Sequence, residues 1–263
     1  MKKNRIYLIF IVPFICLLSS CEKIINLNLN TSASVIVIQG NVYDHTGPYL
    51  VRISKTVNFT ESTIFPPVTD AIVTISDNAG NSEVLVQSID GTYITSTLLG
   101  IPGRTYTLQV EIQGKTYLSN STMPSAVKID SIYFKKNFFG NGIETVLTFQ
   151  DPKNIDNYYR VIQYINDTLK TDFNIGNDKL HQGKMISFSL STTSINGDKP
   201  LKTGSNITLQ LESIDKNVFE YFRTTRGNNG RSASPANPVS NITNGALGYF
   251  NACSVREASV KVP

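Results

Sequence analysis

Few residues in this chain could carry out chemistry, and they are scattered. Two histidines, three cysteines and no tryptophan narrow general-base and nucleophile chemistry from the outset. Nucleophilic hydrolysis needs a nucleophile with a base beside it, most often histidine. His45 follows Asp44 in a polar Asp-His-Thr-Gly stretch and His181 lies in "NDKLHQGK". Neither belongs to a nucleophile motif, no Gly-x-Ser-x-Gly elbow occurs, and both read as solvated loop residues. Cys253 falls in an apolar run, where a buried, unreactive thiol is expected. Zinc needs clustered His and Cys, which these positions do not supply. Asp77-Asn78-Ala79-Gly80-Asn81 and Asn196-Gly197-Asp198 offer hard oxygen ligands for calcium, yet they lack EF-hand spacing and contain what tight turns require. Asp151 in "FQDP" and Glu212 in "LQLES" are the carboxylates that could pair in space for glycoside hydrolysis. For each, hydrogen-bonding a turn or facing solvent is the expected role. No phosphate-cradling glycine loop is present. The residues therefore predict no catalytic set, no metal site and no cofactor.

The N-terminus is more informative. Lys2, Lys3 and Arg5 precede an apolar run from Ile6 to Leu18. A bilayer-spanning helix needs ~20 apolar residues, so this run reads as a signal peptide over residues 1–20. Leu18-Ser19-Ser20-Cys21 resembles a bacterial lipobox. The resemblance implies that the Cys21 thiol receives a diacylglycerol, that the chain is cut before it, and that the new amine is acylated. Each buried CH2 contributes ~0.8 kcal/mol, so two or three such chains hold a folded domain at a membrane. Glu22, rather than the Asp that would suggest inner-membrane retention by the enterobacterial rule, follows the cysteine. The expected address is the cell outer membrane, with the side it faces left open. Cys16 leaves with the signal and Cys21 is acylated, so Cys253 has no partner for an internal disulfide and the core must hold the fold.

The net charge of +4 owes three units to the signal, which leaves the mature part near neutral. With no basic block there is no electrostatic case for nucleic acid. Binding residues are easier to find than catalytic ones. "KKNFFGNG" sets Phe138 and Phe139 between lysines and a Gly-Asn-Gly turn, where rings could stack on a sugar or anchor a partner. Consecutive strand residues face opposite sides, so packing of one ring inward is the stronger expectation. The loop "NFTESTIFPPVTD" over residues 58–70 presents Phe65 beside two prolines. The loop over 228–241 adds Arg231 after Arg226 but has no aromatic residue.

Strands must position these groups. Tyr, Phe, Thr, Ser and Asn are abundant and charge is low, which favours β structure. Short alternating runs cover 34–42, 49–56, 71–76, 82–87, 92–97, 105–112 and 115–121, separated by turn residues at the spacing of a sandwich. "TYTLQVEIQGKTYLSN" is the sharpest hairpin, turning at Gln113-Gly114. Met123-Pro124-Ser125 marks a boundary, after which strands are predicted over 129–136, 144–152, 157–167, 184–190 and 206–214. A short helix is predicted over about 215–226, with Asp215 as its cap and Gly227 at its close. Final strands cover 245–255 and "ASVKVP". The expected fold is mainly all-β: two antiparallel sandwich-like domains, over 31–123 and 124–263, behind a lipidated tether over 21–30.

"DAIVTI", "DGTY" and "GIPGRTYTLQV" resemble the transthyretin-like or carboxypeptidase-regulatory-like β-sandwich over residues 30–122, a noncatalytic docking module. Cys21-Glu22-Lys23 with "IINLNL", then "VIQGNV", "DSIYF", "FQDP…NYYR" and "NPVSNITNGALGYFNACSV", occur in an order that resembles an uncharacterised outer-membrane lipoprotein family of the Bacteroidetes lineage, domain of unknown function 4249. The resemblance implies an accessory role beside an outer-membrane TonB-dependent nutrient transporter. In that lineage Asp130-Ser131-Ile132 and Asp167-Thr168-Leu169 resemble O-glycosylation sites. The leading expectation is a noncatalytic binding or assembly module held at the membrane by lipid, with an envelope protein, a glycan or a peptide as its partner. A membrane-tethered hydrolase and a structural or adhesive envelope protein are the rivals.

Overall fold

Short strands whose residues alternate between buried and exposed, interrupted by glycine and asparagine turns, build the protein. The computed structural model describes residues 33–58, 64–136, 143–191, 202–227 and 236–263. The N-terminal segment with Leu18, Ser19, Ser20 and Cys21 lies outside them, as do Phe138, Phe139, Asn196, Gly197, Asp198 and Arg231.

A long sheet of eight strands runs in the order β12 (Thr168–Asn177), β11 (Tyr158–Ile165), β14 (Asn206–Ile214), β15 (Leu247–Lys261), β1 (Ile36–Tyr43), β2 (Leu50–Lys55), β6 (Thr92–Ile94), β5 (Val86–Ile89). A four-stranded sheet has the order β4 (Ser82–Val84), β3 (Ile72–Asp77), β7 (Thr105–Ile112), β8 (Lys115–Thr122). A three-stranded sheet has the order β13 (Met185–Ser191), β10 (Ile143–Gln150), β9 (Ser131–Lys136). Residue parity along β15 shows how the layers stack. Phe250 and Ala252 enter a first core with Val73, Ile75, Leu108 and Val110 of the four-stranded sheet. Val260, of the same parity, packs on a second core with Leu147 and Phe149 of the three-stranded sheet. Side chains alternate between faces, so both smaller sheets cover one face of the long sheet. Tyr249, Cys253 and Val255, of opposite parity, meet the helix α1 (Lys216–Gly227) through Val218, Phe219 and Phe222 on the other face.

The mainly β fold with one short helix near the C-terminus is as the sequence indicates. Strands β7 and β14 have the predicted bounds. The β7–β8 hairpin turns through Gln113 and Gly114, both with positive φ, the geometry that matches sheet twist. Asp215 caps α1, with its Oδ1 accepting the Val218 N–H at 2.9 Å.

Four features differ from expectation. β1 and β15 pair in parallel, Ile38 opposite Gly248 and Val42 opposite Ala252, so the long sheet is mixed; strands this far apart in sequence have no hairpin to force an antiparallel pairing. The predicted strand over 82–87 is two strands, because the chain changes sheets at Leu85. That residue's side chain is buried and its N–H bonds to Val73 O. The two C-terminal strands are one. A further strand, β12, follows β11 through a turn at Asn166 and Asp167, both with positive φ.

Met123, at the expected boundary, is fully buried in the first core. Yet Ile242, Ala246, Phe250 and Ala252 return to that same core from the C-terminal region. The two sandwiches are therefore joined by a shared strand as well as by the connection after Met123, and residues 34–263 cluster as a single compact unit.

Candidate functional site

Phe65 is 58% exposed and Ile64 beside it 75%. These two apolar side chains stand at the head of a segment that is otherwise firmly fixed. The Lys55 N–H donates to Pro66 O at 2.9 Å, and Pro67 bridges to Ser54. The Val68 side chain is 2% exposed in the first core; its N–H donates to Ile53 O at 3.0 Å, and its carbonyl accepts the Tyr93 hydroxyl at 3.0 Å. Tyr93 Oη in turn accepts the Ala71 N–H. Two prolines with φ fixed near −65° complete the restraint. Gly91, with φ of +68°, makes the close approach possible: a Cβ there would sit 2.6 Å from Ile53 O and 2.8 Å from Pro67 Cβ. A ring held in water by so rigid a base loses little conformational entropy on contact with a partner.

The residues considered for catalysis are engaged elsewhere and do not converge. The two Glu212 oxygens face Arg160, Oε2 at 2.7 Å from Nε and Oε1 at 3.0 Å from Nη2, and Glu212 is fully buried. Asp151, 2% exposed, accepts the Tyr159 hydroxyl at 2.5 Å and the Gly183 N–H at 2.8 Å. Tyr159 belongs to the second core, while Glu212 points to the helix face beside Arg160. The two carboxylates thus lie on opposite faces of the long sheet and cannot flank one glycosidic bond.

His45 stacks on Tyr43 with ring centroids 5.1 Å apart, and its Nδ1 lies 3.1 Å from Thr46 O. Its neighbour Asp44 is not a partner for it. Asp44 Oδ1 accepts the Val255 N–H and Oδ2 pairs with Arg256 at 2.8 Å, which ties the turn after β1 to β15. The His181 backbone closes turns with Asp178 and Lys184. Cys253 is fully buried; burial, with Glu212 nearby, pushes its thiol well up. Burial likewise pushes the Tyr43 hydroxyl up, helped by Cys253 and Glu212.

A groove of 570 Å3 at one end of the first sandwich holds Asp77, Glu83 and Arg104. Both carboxylates are fully employed there. Asp77 accepts from the backbone of Ala79 and Asn81, from the Asn81 amide and from Arg104. Burial pushes it up, but these donors outweigh burial and hold it at about 2. Glu83 accepts the N–H groups of Ser96, Thr97 and Leu98; burial raises it and the three amides bring it below its ordinary value. Among the described residues no group of three or more His, Cys, Asp or Glu is placed to hold a metal ion. Of the two three-residue patterns, Ser131 bonds through its hydroxyl to Thr148, and Thr168 is exposed at the start of β12.

Of the aromatic residues selected from the sequence for binding, Phe65 lies among the described residues, and it is exposed. Ile64 is a second exposed apolar residue there, marked in the sequence only by its place next to Phe65 and Pro66. A donor-rich cleft beside β12 was missed, because it depends on a bulge that local sequence does not reveal.

Three comparisons bear on kinship. No curated protein matches the chain. Among solved structures, the selenomethionine-substituted chicken interferon gamma receptor alpha chain aligns at 9% identity over 89% of this chain and 100% of its own, with a TM-score of 0.27, too loose a likeness to bear on fold or function. The family model described as "Domain of unknown function (DUF4249)" matches residues 22–259, and the chain belongs to that family.

Proposed function

We propose that this protein is a noncatalytic lipoprotein of the outer membrane, from the Bacteroidetes lineage, that acts as a binding or assembly module accessory to a TonB-dependent nutrient transporter. The observation that carries the proposal is the exposed Ile64–Phe65 pair on a base fixed by Pro66, Pro67 and Val68. Exposed aromatic residues on rigid scaffolds are the usual anchors of interfaces, and a few of them carry most of the binding energy. The lipobox-like Leu18-Ser19-Ser20-Cys21 supports the membrane tether. Anchorage at Cys21 confines the module to the membrane, so that modest loop contacts act at high effective concentration on a neighbour in the same membrane.

Photocrosslinking from position 64, beside the ring, in native membranes tests the reading, with residue 65 left as Phe or changed to Ala. One outer-membrane protein should be captured, and Phe65→Ala should weaken its capture about tenfold, the loss of a typical hot spot. The melting temperature should hold, because the ring is more than half exposed. Cys21→Ala should release the protein from the membrane fraction. Unchanged capture by the Phe65→Ala form, or firm membrane retention of the Cys21→Ala form, would sink the proposal.

A further inference from the structure

The pairing of β11 with β12 breaks at one place. Ile162 faces Phe173 and Tyr164 faces Leu169, so Gln163 alone opposes Lys170, Thr171 and Asp172. Bulges of this kind redirect side chains and recur beside functional sites. This one lies against a cleft of 610 Å3 between the edge strands β12 and β13, close to the last turn of α1. Gln163, on the face of β11 that also carries Val161 of the second core, is 1% exposed. Its buried Nε2 has no hydrogen-bond partner among the described residues. Lys170 is 7% exposed, and among the described residues its Nζ makes one hydrogen bond, to Ser191 O at 3.3 Å. None of the ion pairs among the described residues includes it. Arg226, exposed, lines the same cleft, and Asp172 is the one carboxylate among its described lining residues.

Hydrogen-bond supply is therefore lopsided. A lysine offers three N–H donors and a glutamine amide two, and one of these five is used among the described residues. A buried cation without a counter-charge and a buried amide without an acceptor both weigh against folding. Both deficits are removed at once by a group that brings negative charge and at least two acceptor oxygens. The cleft is far larger than a bare ion needs and falls within the ~300–1,000 Å3 range of small-molecule sites.

We infer that the cleft between β12 and β13 binds a sugar-sized ligand by its oxyanion, carboxylate or phosphate, which Lys170 and Gln163 receive at the floor. Arg226 adds positive charge at the rim, and Asp172 can accept from hydroxyl groups on the body of the ligand. The site lies in the second sandwich and is independent of the Phe65 loop.

Calorimetric titration of the detergent-solubilised full chain with glucuronate, glucose 6-phosphate, glucose and inorganic phosphate tests this. One of the two anionic sugars should bind saturably, which separates carboxylate from phosphate recognition. Glucose should bind at least about tenfold more weakly, and inorganic phosphate more weakly than a bound sugar phosphate. Lys170→Met and Gln163→Leu should each weaken the anionic sugar by about tenfold or more, a modest loss for one partner of a buried charged contact. Without ligand, Lys170→Met should raise the melting temperature, because it removes an uncompensated buried charge. Three results would overturn the inference: no saturable binding of either anionic sugar, undiminished binding by both variants, or a Lys170→Met form that melts lower or fails to fold while Gln163→Leu binds like the parent.

Discussion

At the scale of single residues, the most deeply buried ion pair among the described residues is Arg160–Glu212, under α1. Arg160 is 7% exposed and Glu212 is fully buried. The guanidinium carbon lies 4.1 Å from the centre of the Phe222 ring. Burial pulls the Arg160 guanidinium down, but Glu212 more than offsets this, so the group is held firmly protonated. A buried ion pair is weak evidence for stability, yet breaking it from one side is severe, because it strands the other charge. Glu212→Gln should therefore lower unfolding free energy by about 3–5 kcal/mol. The double change Arg160→Met with Glu212→Leu should recover most of that loss. Urea unfolding of the three forms checks this, and a double variant as unstable as the single one would show that the arginine's other contacts matter more than its charge. The same pairing explains why Glu212 looked like a free acid in the sequence. Its partner stands opposite it only through strand register, which neither local sequence reveals.

At the scale of elements, turns and hairpins were legible wherever their chemistry is local. Gln113-Gly114 announced the β7–β8 hairpin, and Asp215 announced the start of α1, because each acts on its own backbone. β12 was not legible. It is an edge strand of mixed polarity, Thr-Leu-Lys-Thr-Asp-Phe, distorted by its bulge, so it shows no clean alternation. The candidate cleft went unseen for the same reason. The Ile64–Phe65 loop was half legible: the ring and the prolines were visible, but the anchoring by Val68 and Tyr93 was not.

The β3–β4 turn gives a pH prediction at this scale. Asp77 is held at about 2 against an ordinary 3.8, and Glu83 is also lowered. A carboxylate depressed by folding contributes stability above its unfolded pKa and loses it as pH falls through the folded value. The melting temperature should therefore fall between pH 4 and about 2. An Asp77→Asn form should start lower at pH 7 and fall less steeply, so that the two curves converge near pH 2. Parallel curves would mean that the Arg104 contact and the turn amides leave the Asp77 carboxylate unperturbed.

At the scale of the whole molecule, β15 decides how the two sandwiches behave. Its first half pairs with β1 and sends Phe250 and Ala252 into the first core; its second half pairs with β14 beside the second core. Domains that share only a linker unfold separately, whereas a strand common to two cores transmits the loss of one to the other. The long sheet runs on unbroken from β12 to β5, with the apolar loop beside β2 and the donor-rich cleft at β12. Thermal unfolding of the full chain should then be a single transition. A chain stopped at Met123 should show no cooperative transition, because β1 would lose its parallel partner and the first core would lose Ile242, Ala246, Phe250 and Ala252. Phe250→Ala probes the same coupling without truncation. It empties a fully buried site and should lower stability by about 3–5 kcal/mol. Amide exchange should quicken in β14 and β11 of the second sandwich as well as in β1 and β2. Faster exchange confined to the first sandwich, or a fragment ending at Met123 that melts sharply by itself, would mean that β15 joins two independent domains.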